Sequence, residues 1–469
     1  MAITTYNFNN SDYVINSGKR VITCTSTKAT EPKFRFYLEV LYDSKTYAYT
    51  FRPNATEYGM IDIGSILSGI VQPIYQQQVL TVPQSVETTG TTNDFQQNIH
   101  SIPHQKYDSG YVDQYLSTGG TGCKFIQLKL WDFYALSSTT IPVKQGSSVD
   151  ANLYVLFGAN LSTDLINQDF SNYKLTNNSG FWLSGNYRET LSNSKNIDAA
   201  ITDFGVMSFL NRTLAVNTGA LTQYIAIKYY DTSGGITHQN FDQSNVYGGK
   251  WDASGVNDDS MIIYFGCYPA NLNKLVGSYT KPSDITDLDY YEVYISLANG
   301  VPVYSTKYRF NIINRCDKFD AQRFAYINKF GVWEYITFDK KRTDKLNKKN
   351  TEINKSVYDY SASFGTYSAG YNEKPFIPHI AHESKKIVAS NIGQSFTINT
   401  GFLKDYEIDQ VRDMFLSPMI NYINTDGSAI AVLLTNKNID EVVVSHKYDQ
   451  TEYALNFEYS IKQHNPILL

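Results

Sequence analysis

The stretch FRFYLEVLYDSKTYAYTF, residues 34–51, decides how the first part of the chain folds. Its two runs, 34–42 and 46–51, are dense in the aromatic and aliphatic residues that β-strands favour. Asp43, Ser44 and Lys45 separate the runs and are few enough to close a hairpin. The stretch therefore predicts two neighbouring antiparallel strands, and residues 21–25 predict a further strand before them.

A helix is predicted directly after this hairpin. In residues 61–71 apolar side chains recur at positions 63, 66, 67, 70 and 71, which is helical spacing, with a turn at Gly59 before the segment and Pro73 after it. A helix of this kind would cover one face of the sheet. Residues 1–75 are therefore predicted to form an N-terminal β module with one covering helix.

Residues 76–122 differ sharply from the module before them. Their apolar content is low, and they contain the runs QQQ, VETTGTTND and STGGTG. A plain loop of this length is uncommon in a compact domain. We expect an extended polar arm or loop, either disordered alone or ordered by contact with another protein.

The next region, 123–314, is predicted to be a central β-sandwich region. Its clearest strands are 125–134, 153–157, 223–230, 261–265, 290–297 and 307–312. Ile225, Ile227 and Tyr229 alternate with other residues as in half-buried antiparallel strands. Residues 177–196 are predicted to be a long polar surface insertion.

Residues 315–469 are predicted to form a C-terminal β module. A hairpin joins 324–326 to 332–338 through a turn at 328–331, and a helix is predicted over 404–416 from the apolar face of Ile408, Val411, Met414 and Phe415. Strands are predicted at 395–398, 430–435, 442–446 and 453–459. The whole chain is thus predicted to be mainly β and multi-domain, with antiparallel β-sandwich domains and a few short helices.

The composition indicates a globular chain. Of 469 residues, 42% are hydrophobic and only 18% are charged, and the 38 tyrosines suit both pleated surfaces and interfaces. A net charge of -5 disfavours a global affinity for nucleic acid. The amino end has no signal-peptide pattern, and no apolar run is long enough to span a membrane. We therefore expect a protein that is made in the cytoplasm and has no membrane span.

No cofactor or metal site is predicted, and we expect the protein not to be an enzyme. The sequence lacks the glycine-rich phosphate loops and the GxSxG elbow. His379 and His382 are three residues apart, whereas a zincin helix needs four, and they follow two prolines. The four cysteines, Cys24, Cys123, Cys267 and Cys316, are widely spaced, which favours buried reduced thiols.

Two weaker alternatives concern glycans. Hydrolysis of a glycosidic bond needs a carboxylate pair, and the sequence offers two groups of carboxylates, namely Asp287, Asp289 and Glu292, and Asp242, Asp258 and Asp259. Carboxylates in turns more often cap loops. Sugar stacking could involve Trp131, Trp182 and Trp251, although aromatic residues in strands more often pack in cores.

One basic stretch, residues 340–355, interrupts the acidic chain. Its candidate contact residues are Lys340, Lys341, Arg342, Lys345, Lys348 and Lys349. One interpretation is a solvated loop between β elements. The other is a local surface that faces DNA or an acidic partner, since contact with phosphates needs only clustered cations.

Several segments resemble virion structural proteins of short-tailed phages that infect Bacteroidetes, including the crAss-like phages. The segments are FRFYLEVLYDSKTYAYTFRPNATEYGMIDIGSIL (34–67), RCDKF (315–319), NKFGVWEYITFDKK (328–341), KDYEIDQVRDMFLSP (404–418) and TEYALNFEYSIK (451–462). The resemblance implies a place in the tail or collar of the virion. It also implies a ring with the twelvefold symmetry of the portal.

The leading hypothesis from the sequence is therefore a collar or tail ring, or an adaptor protein that joins portal-proximal tail parts and fibres. Its expected partners are copies of itself in a cyclic homo-oligomer, portal-adjacent, tail and fibre proteins, and genomic DNA through non-specific contact. One alternative is a tail fibre or glycan-binding receptor protein, which would normally show shaft repeats. The other is a glycan-cleaving tail enzyme.

Overall fold

A computed structural model of the chain describes residues 3–5, 11–16, 20–42, 45–71, 123–158, 181–182, 185, 190–191, 194–210, 224–242, 262–273, 279–298, 301–303, 305–315, 318–354, 385–425, 429–438, 452–460 and 463–466. The predicted arm at 76–122 and the strand predicted at 442–446 lie outside these residues. The prediction of a mainly β fold with several sheets and a few short helices is confirmed.

The first part of the chain forms two sheets and one helix. Its elements are β1 (Ile3–Thr5), β2 (Ser11–Ile15), β3 (Val21–Ser26), β4 (Arg35–Tyr42), β5 (Lys45–Phe51), β6 (Tyr58–Asp62), α1 (Gly64–Ile70), β7 (Cys123–Tyr134) and β8 (Val143–Leu156). The sheets have the orders β1-β3-β6 and β2-β8-β7-β4-β5. The predicted hairpin is confirmed, with Tyr42 paired to Lys45. The predicted helix is also confirmed, but it begins at Gly64 because Ile61 pairs with Ile22 in a strand.

The five-stranded sheet joins segments that are distant in sequence. Strand β7 pairs antiparallel with β4, and β8 pairs in parallel with β2. Its strands therefore come from both predicted regions, 1–75 and 123–314. Side-chain alternation marks the buried face of each strand but not its partner, which is why the sequence did not indicate this pairing.

The central part contains a larger mixed sheet. Its elements are β9 (Phe181–Trp182), β10 (Thr190–Leu191), β11 (Ser194–Ala199), β12 (Met207–Leu210), β13 (Tyr224–Asp231), β14 (Ile236–Asp242), β15 (Ile262–Phe265), α2 (Pro269–Leu272), β16 (Leu288–Ala298), β17 (Val301–Val303) and β18 (Lys307–Ile312). The main sheet has the order β10-β11-β18-β16-β13-β14, and β15-β12-β9 form a smaller one. Strand β11 runs parallel to β18, so the predicted insertion at 177–196 is wrong at its end, where Ser194 begins a strand of this sheet.

The last part is a curled eight-stranded sheet with one helix. Its elements are β19 (Gln322–Ile327), β20 (Trp333–Phe338), β21 (Arg342–Asn354), β22 (Lys385–Asn399), α3 (Asp405–Leu416), β23 (Ile420–Ile423), β24 (Ala429–Leu434), β25 (Ala454–Tyr459) and β26 (Gln463–Pro466). The order is β20-β19-β23-β24-β25-β22-β21, with β26 also on β22. The predicted hairpin and helix are confirmed. The prediction of a solvated loop at 340–355 is wrong over Arg342–Asn354, which form a strand.

Strands that bury both faces connect the hydrophobic cores. In β19, Phe324 and Tyr326 face the interior of the curled sheet, whereas Ala325 and Ile327 face the core of the central sheet. In the same way β8 divides its side chains between the core of the five-stranded sheet and the central core. A strand that is buried on both faces has a continuous run of apolar residues in its sequence. The β19–β20 hairpin thus acts as a wall shared by two cores.

Two of the four cysteines are described with their side chains. Cys24 and Cys267 are buried and free. Burial, with a smaller effect from Asp132, raises the pKa of Cys24 to about 12, so its thiol stays protonated at neutral pH. The prediction of buried reduced thiols is confirmed for these two residues.

The turn of the β19–β20 hairpin requires glycine at position 331. Gly331 has a φ of +78°, and a Cβ there would lie 2.3 Å from the backbone oxygen of Phe157. Gly234 has a similar φ of +88° but nothing within 4 Å of its Cβ position. Gly331→Ala is therefore expected to lower the free energy of unfolding by about 1–3 kcal/mol more than Gly234→Ala, because both share the cost of the left-handed conformation and only the first adds a clash. Urea unfolding of the two variants would measure the difference, and equal losses would contradict this account of the turn.

Candidate assembly surface

Strand β21 carries most of the predicted basic residues and lies at one edge of the curled sheet. Within the described residues it pairs with β22 alone, from Arg342 opposite Ile398 to Asn354 opposite Lys385. Every residue after Arg342 in this strand is exposed, so neither face of the strand is packed. We call its outer row of backbone N–H and C=O groups the β21 edge, and no strand among the described residues pairs with it.

The alternation of side chains divides the basic residues between two faces. Lys345 and Lys349 lie on one face of β21, whereas Lys348 lies on the opposite face together with Leu346. Lys345 and Lys349 are four residues apart, which is about 13 Å along a strand. The predicted basic residues therefore do not share one face of the strand. Instead, its lysines flank the β21 edge from both sides.

The Arg342 side chain makes contacts within the sheet and does not project from the exposed surface. Its guanidinium donates hydrogen bonds to Gln322 Oε1 (2.9 Å), Tyr459 Oη (2.8 Å) and Asp344 Oδ1 (2.8 Å). It also lies 4.3 Å from the ring centre of Phe396. Burial lowers the pKa of Arg342, but the bonds to Asp344 and Tyr459 outweigh it and keep the pKa above its ordinary value. These contacts fix the start of β21 to the interior of the curled sheet.

Lys340 and Lys341 lie in the link between β20 and β21. The Nζ atom of Lys340 is 2.8 Å from Asp339 Oδ1, in an exposed ion pair. The backbone oxygen of Lys341 accepts a hydrogen bond from the backbone nitrogen of Asn399 (3.3 Å). Of the six predicted contact residues, Lys345, Lys348 and Lys349 therefore remain as the ones that project from β21 itself.

Two aliphatic side chains interrupt the polar character of β21. Leu346 is 68% exposed and Ile353 is 41% exposed. Single exposed aliphatic residues are common on protein surfaces. On an unpaired strand they add apolar contact area to the backbone groups. An edge of this kind can accept a strand from another chain, and its flanking lysines would restrict the partner to one of complementary charge.

A second feature is a buried ion cluster that joins the central part to the C-terminal part. Asp203, in the loop between β11 and β12, accepts two hydrogen bonds from the guanidinium of Arg315, one of them at 2.6 Å. Arg323 in β19 lies 3.6 Å from the same carboxylate and donates to the backbone oxygen of Phe204 (2.7 Å). Tyr268 lies under the Arg323 guanidinium, 4.7 Å away. The cluster fixes the β11–β12 loop against β19.

A polar cleft of about 380 Å³ lies beside this cluster, between the central sheet, β20 and the start of α3. Its three carboxylates each have a structural contact. Asp198 accepts from Asn311 Nδ2 (3.0 Å), Asp339 pairs with Lys340, and Glu407 accepts from the backbone nitrogen of Lys404 (2.8 Å). No His, Cys or Ser lines the cleft among the described residues. The cleft is therefore best described as a polar junction between sheets.

The other residues considered for chemistry are dispersed. Glu292 pairs with Lys307 (2.9 Å) and accepts from Tyr230 Oη (3.1 Å). Trp131 donates through Nε1 to Glu39 (3.3 Å), beside the Lys144 ammonium, which is 5.3 Å from its ring centre.

Several of these candidates cannot be placed. His379, His382, Asp258, Asp259 and Trp251 lie outside the described residues, as do the side chains of Asp242 and Trp182. In the part of the chain that is described, no group of three or more His, Cys, Asp and Glu could hold a metal ion.

Sequence reasoning missed Asp203 and Arg323. Asp203 is 112 residues from Arg315 along the chain. No local pattern links residues at that separation, because the contact depends on how the sheets pack. By contrast, the lysines of β21 were visible as a cluster, and only their division between two faces needed the structure.

Comparisons with known proteins add little to this geometry. No protein family matches the sequence, and no curated protein matches it significantly. Among solved structures, the chain is similar to one described as the crystal structure of a tetra-tandem repeat in the extending region of a large adhesion protein. The two share 8% identity and a TM-score of 0.20, over 84% of this chain and 69% of the other. At that TM-score the likeness carries no argument about function.

Proposed function

We propose that this protein is a structural component of a bacteriophage particle, most specifically a collar or tail ring or an adaptor that joins portal-proximal tail parts to fibres. The observation that carries the proposal is the β21 edge. The lysines of this thirteen-residue edge strand protect it from indiscriminate pairing and leave it open to a partner of complementary charge. An assembling protein can use such an edge for a defined contact.

Contacts with the rest of the curled sheet hold the β21 edge in place. Strand β22 pairs with β21 and also with β25 and β26, so β21 is joined to the rest of the sheet through β22. Arg342, the first residue of β21, contacts Gln322, Tyr459 and Phe396 in other parts of the sheet. An edge held in this way loses little conformational freedom when it binds, which favours assembly.

The resemblance of residues 34–67 and of the C-terminal segments to phage virion proteins supports the same function. Two of these segments form the β4–β5 hairpin with α1 and the β19–β20 hairpin, which are core elements. A twelvefold ring, contact with portal-adjacent and fibre proteins, and a location in the virion belong to the proposal. In the described part of the chain, no helix is both long and apolar enough to cross a bilayer.

The proposed function predicts a concentration-dependent oligomer. The full chain, purified and measured by mass photometry at several concentrations, is expected to give one discrete mass that is a multiple of 53.1 kDa. The reason is that a contact between two different surfaces closes into a ring of fixed size when its rotation allows. A chain that stays monomeric at all concentrations, and that is missing from purified particles by peptide mass spectrometry, would contradict the proposed function.

A further inference from the structure

The polar cleft beside the Asp203 cluster contains hydrogen-bonding groups that the fold does not use. Gln410 in α3 is fully buried, and neither Nε2 nor Oε1 of its amide has a hydrogen-bond partner among the described residues. The Nη2 atom of Arg323 is buried and without a partner in the same way. Both residues line the cleft. A buried polar group without a hydrogen bond destabilises a fold, so these two groups need an explanation other than stability.

One wall of the cleft leads from an exposed ring to the buried amide. Tyr406, Glu407 and Gln410 line the cleft from one face of α3, since they are separated by three or four residues. The first two side chains are partly exposed, whereas Gln410 is fully buried. Phe402, just before the helix, also lines the cleft and is 64% exposed. We therefore place Phe402 at the mouth of the cleft and Gln410 at its inner end.

The guanidinium of Arg323 is held in one orientation. Its Nε donates to the backbone oxygen of Phe204 (2.7 Å), and its Nη1 donates to Thr337 Oγ1 (2.8 Å). The group also lies 4.7 Å from the ring centre of Tyr268 and 5.1 Å from that of Tyr335. Nη2 is thus a donor whose position is fixed before any ligand binds, and such preorganisation reduces the entropy lost on binding.

The formal charges around the cleft balance. Its lining has four cations, Arg315, Arg323, Lys340 and Lys404, and the three carboxylates described above. Asp203, which contacts both arginines, adds a fourth carboxylate. A site whose charges cancel does not attract an ion of either sign by its overall field. The cleft is therefore better suited to a neutral ligand.

The two unused groups indicate what kind of neutral ligand fits. An anion only accepts hydrogen bonds and would leave Gln410 Oε1 without a donor, whereas a cation would leave Nε2 and Arg323 Nη2 without an acceptor. A hydroxyl group donates and accepts, so neighbouring hydroxyls match both ends of the amide. A sugar ring supplies several hydroxyls at fixed spacing, together with an apolar C–H face that can pack on an aromatic ring such as Phe402.

The size of the cleft is consistent with such a ligand. Its volume of about 380 Å³ is near the lower end of the range of small-molecule sites, about 300–1,000 Å³. A cleft of this size has room for one or two sugar rings. The carboxylates of the cleft are engaged in the structural contacts described above, so the arrangement favours binding without cleavage.

We propose that this cleft binds a neutral sugar unit, with the Gln410 amide and Arg323 Nη2 bonded to its hydroxyls and the Phe402 ring packed on its C–H face. The inference goes beyond assembly through β21 and does not depend on it, because no residue of that strand lines the cleft. It adds a ligand site to the proposed structural component.

Saturation-transfer NMR on the full chain tests the proposal, because it detects direct contact between a sugar and the protein. The probes are glucose, galactose, mannose, fucose, rhamnose, xylose, N-acetylglucosamine and N-acetylgalactosamine. At least one is expected to bind with a dissociation constant of about 1 mM or lower. Mannose and mannan, used separately, distinguish a free sugar from the end of a longer glycan, and transfer to either form supports the site.

Two variants and two matched controls locate the binding. Gln410→Met keeps the length of the side chain and is expected to weaken binding about 10–100-fold, because the hydroxyls lose both amide partners. Phe402→Ala is expected to weaken it about 10-fold through loss of the ring contact. Gln394→Met and Phe319→Ala make the same changes at exposed residues that do not line the cleft and should leave the dissociation constant unchanged.

Thermal unfolding of Gln410→Met separates a binding role from a structural one. Without sugar, the variant is expected to unfold about 1–3 °C above the wild type, because an unpartnered buried amide is replaced by an apolar side chain. The measurement is made without sugar because sugars stabilise many proteins through their exclusion from the protein surface. A variant that unfolds below the wild type would overturn the role given to Gln410, since its amide would then stabilise the fold itself.

The remaining outcomes also decide the proposal. Absence of transfer to every sugar of the panel overturns it, and so does sugar binding that neither Gln410→Met nor Phe402→Ala weakens. Binding of inorganic phosphate or of the neutral peptide N-acetylasparagine amide, with no sugar bound, overturns it in favour of an anion or peptide site. Mass photometry of the same variants is expected to match the wild type, so failure of the sugar site leaves the proposed function in place.

Discussion

Replacing Asp203 with alanine is expected to lower the free energy of unfolding by about 3–5 kcal/mol. The substitution leaves the guanidinium groups of Arg315 and Arg323 without their shared carboxylate, and their side chains are only 16% and 9% exposed. A buried charge that loses its partner costs more than the pair contributed, because its desolvation is no longer compensated. Urea unfolding followed by intrinsic fluorescence would measure the loss.

Asp198→Ala is the matched control for this prediction. Asp198 is exposed and accepts one hydrogen bond, from Asn311. Its loss is expected to cost about 1 kcal/mol. Equal losses for the two variants would show that the Asp203 cluster contributes no more than a surface contact.

The Asp203 cluster also predicts a pH dependence. Burial raises the pKa of Asp203, but Arg323 and Arg315 outweigh it, so the pKa in the folded chain lies below its ordinary value. A depressed carboxyl pKa stabilises the fold fully above the unfolded pKa of about 3.9, and this contribution is lost as the pH falls through the folded pKa. The stability difference between the wild type and Asp203→Ala should therefore be constant above about pH 5 and shrink below about pH 4. A difference that does not change on acidification would contradict this assignment.

The second large effect is expected at Phe324, in the interior of the curled sheet. Phe324→Ala should lower the free energy of unfolding by about 3–5 kcal/mol. The ring is fully buried, and its centre lies 4.7 Å from that of Phe457, 5.5 Å from that of Tyr422 and 6.0 Å from that of Phe338. Removing it leaves a cavity between β19, β20, β23 and β25, which belong to one hydrogen-bonded sheet, so the strands cannot simply collapse into the space.

Phe402→Ala provides the control, since it is the same substitution at a side chain that is 64% exposed. Its effect is expected to stay within about 0.5 kcal/mol. A loss at Phe324 no larger than this would mean that the aromatic interior of the curled sheet does not carry its stability.

Local sequence patterns predicted many of the elements but not their partners. Residues 34–51 formed the expected hairpin because both strands and the short connection are encoded in adjacent residues. The five-stranded sheet was not predictable in the same way, since β7 and β8 reach β4 and β2 across a long polar segment. Pairing over such separations depends on the packing of whole faces. The predicted division into domains therefore stays a prediction.

Strand β21 was missed as a strand for a physical reason. Lysine and asparagine are depleted in strands, and this strand has no buried face, so the apolar alternation that marks most strands is absent. Its β conformation comes from the ladder with β22. The same property that hid the strand from the sequence, the lack of packed side chains after Arg342, is what makes it the candidate assembly surface.

The absence of an active site stays a prediction. The structure gives each described candidate carboxylate of the cleft a structural contact, and it places the predicted lysines around a strand edge. This arrangement fits a protein whose function lies in its contacts. The claim that the chain assembles through β21 is therefore the centre of the account.

A cryo-electron microscopy map of the assembled protein tests that claim most directly. The account predicts a closed ring in which density for a strand of the neighbouring copy continues the curled sheet beyond the outer edge of Arg342–Asn354. A closed ring in which this edge faces solvent would contradict the assignment of the assembly surface.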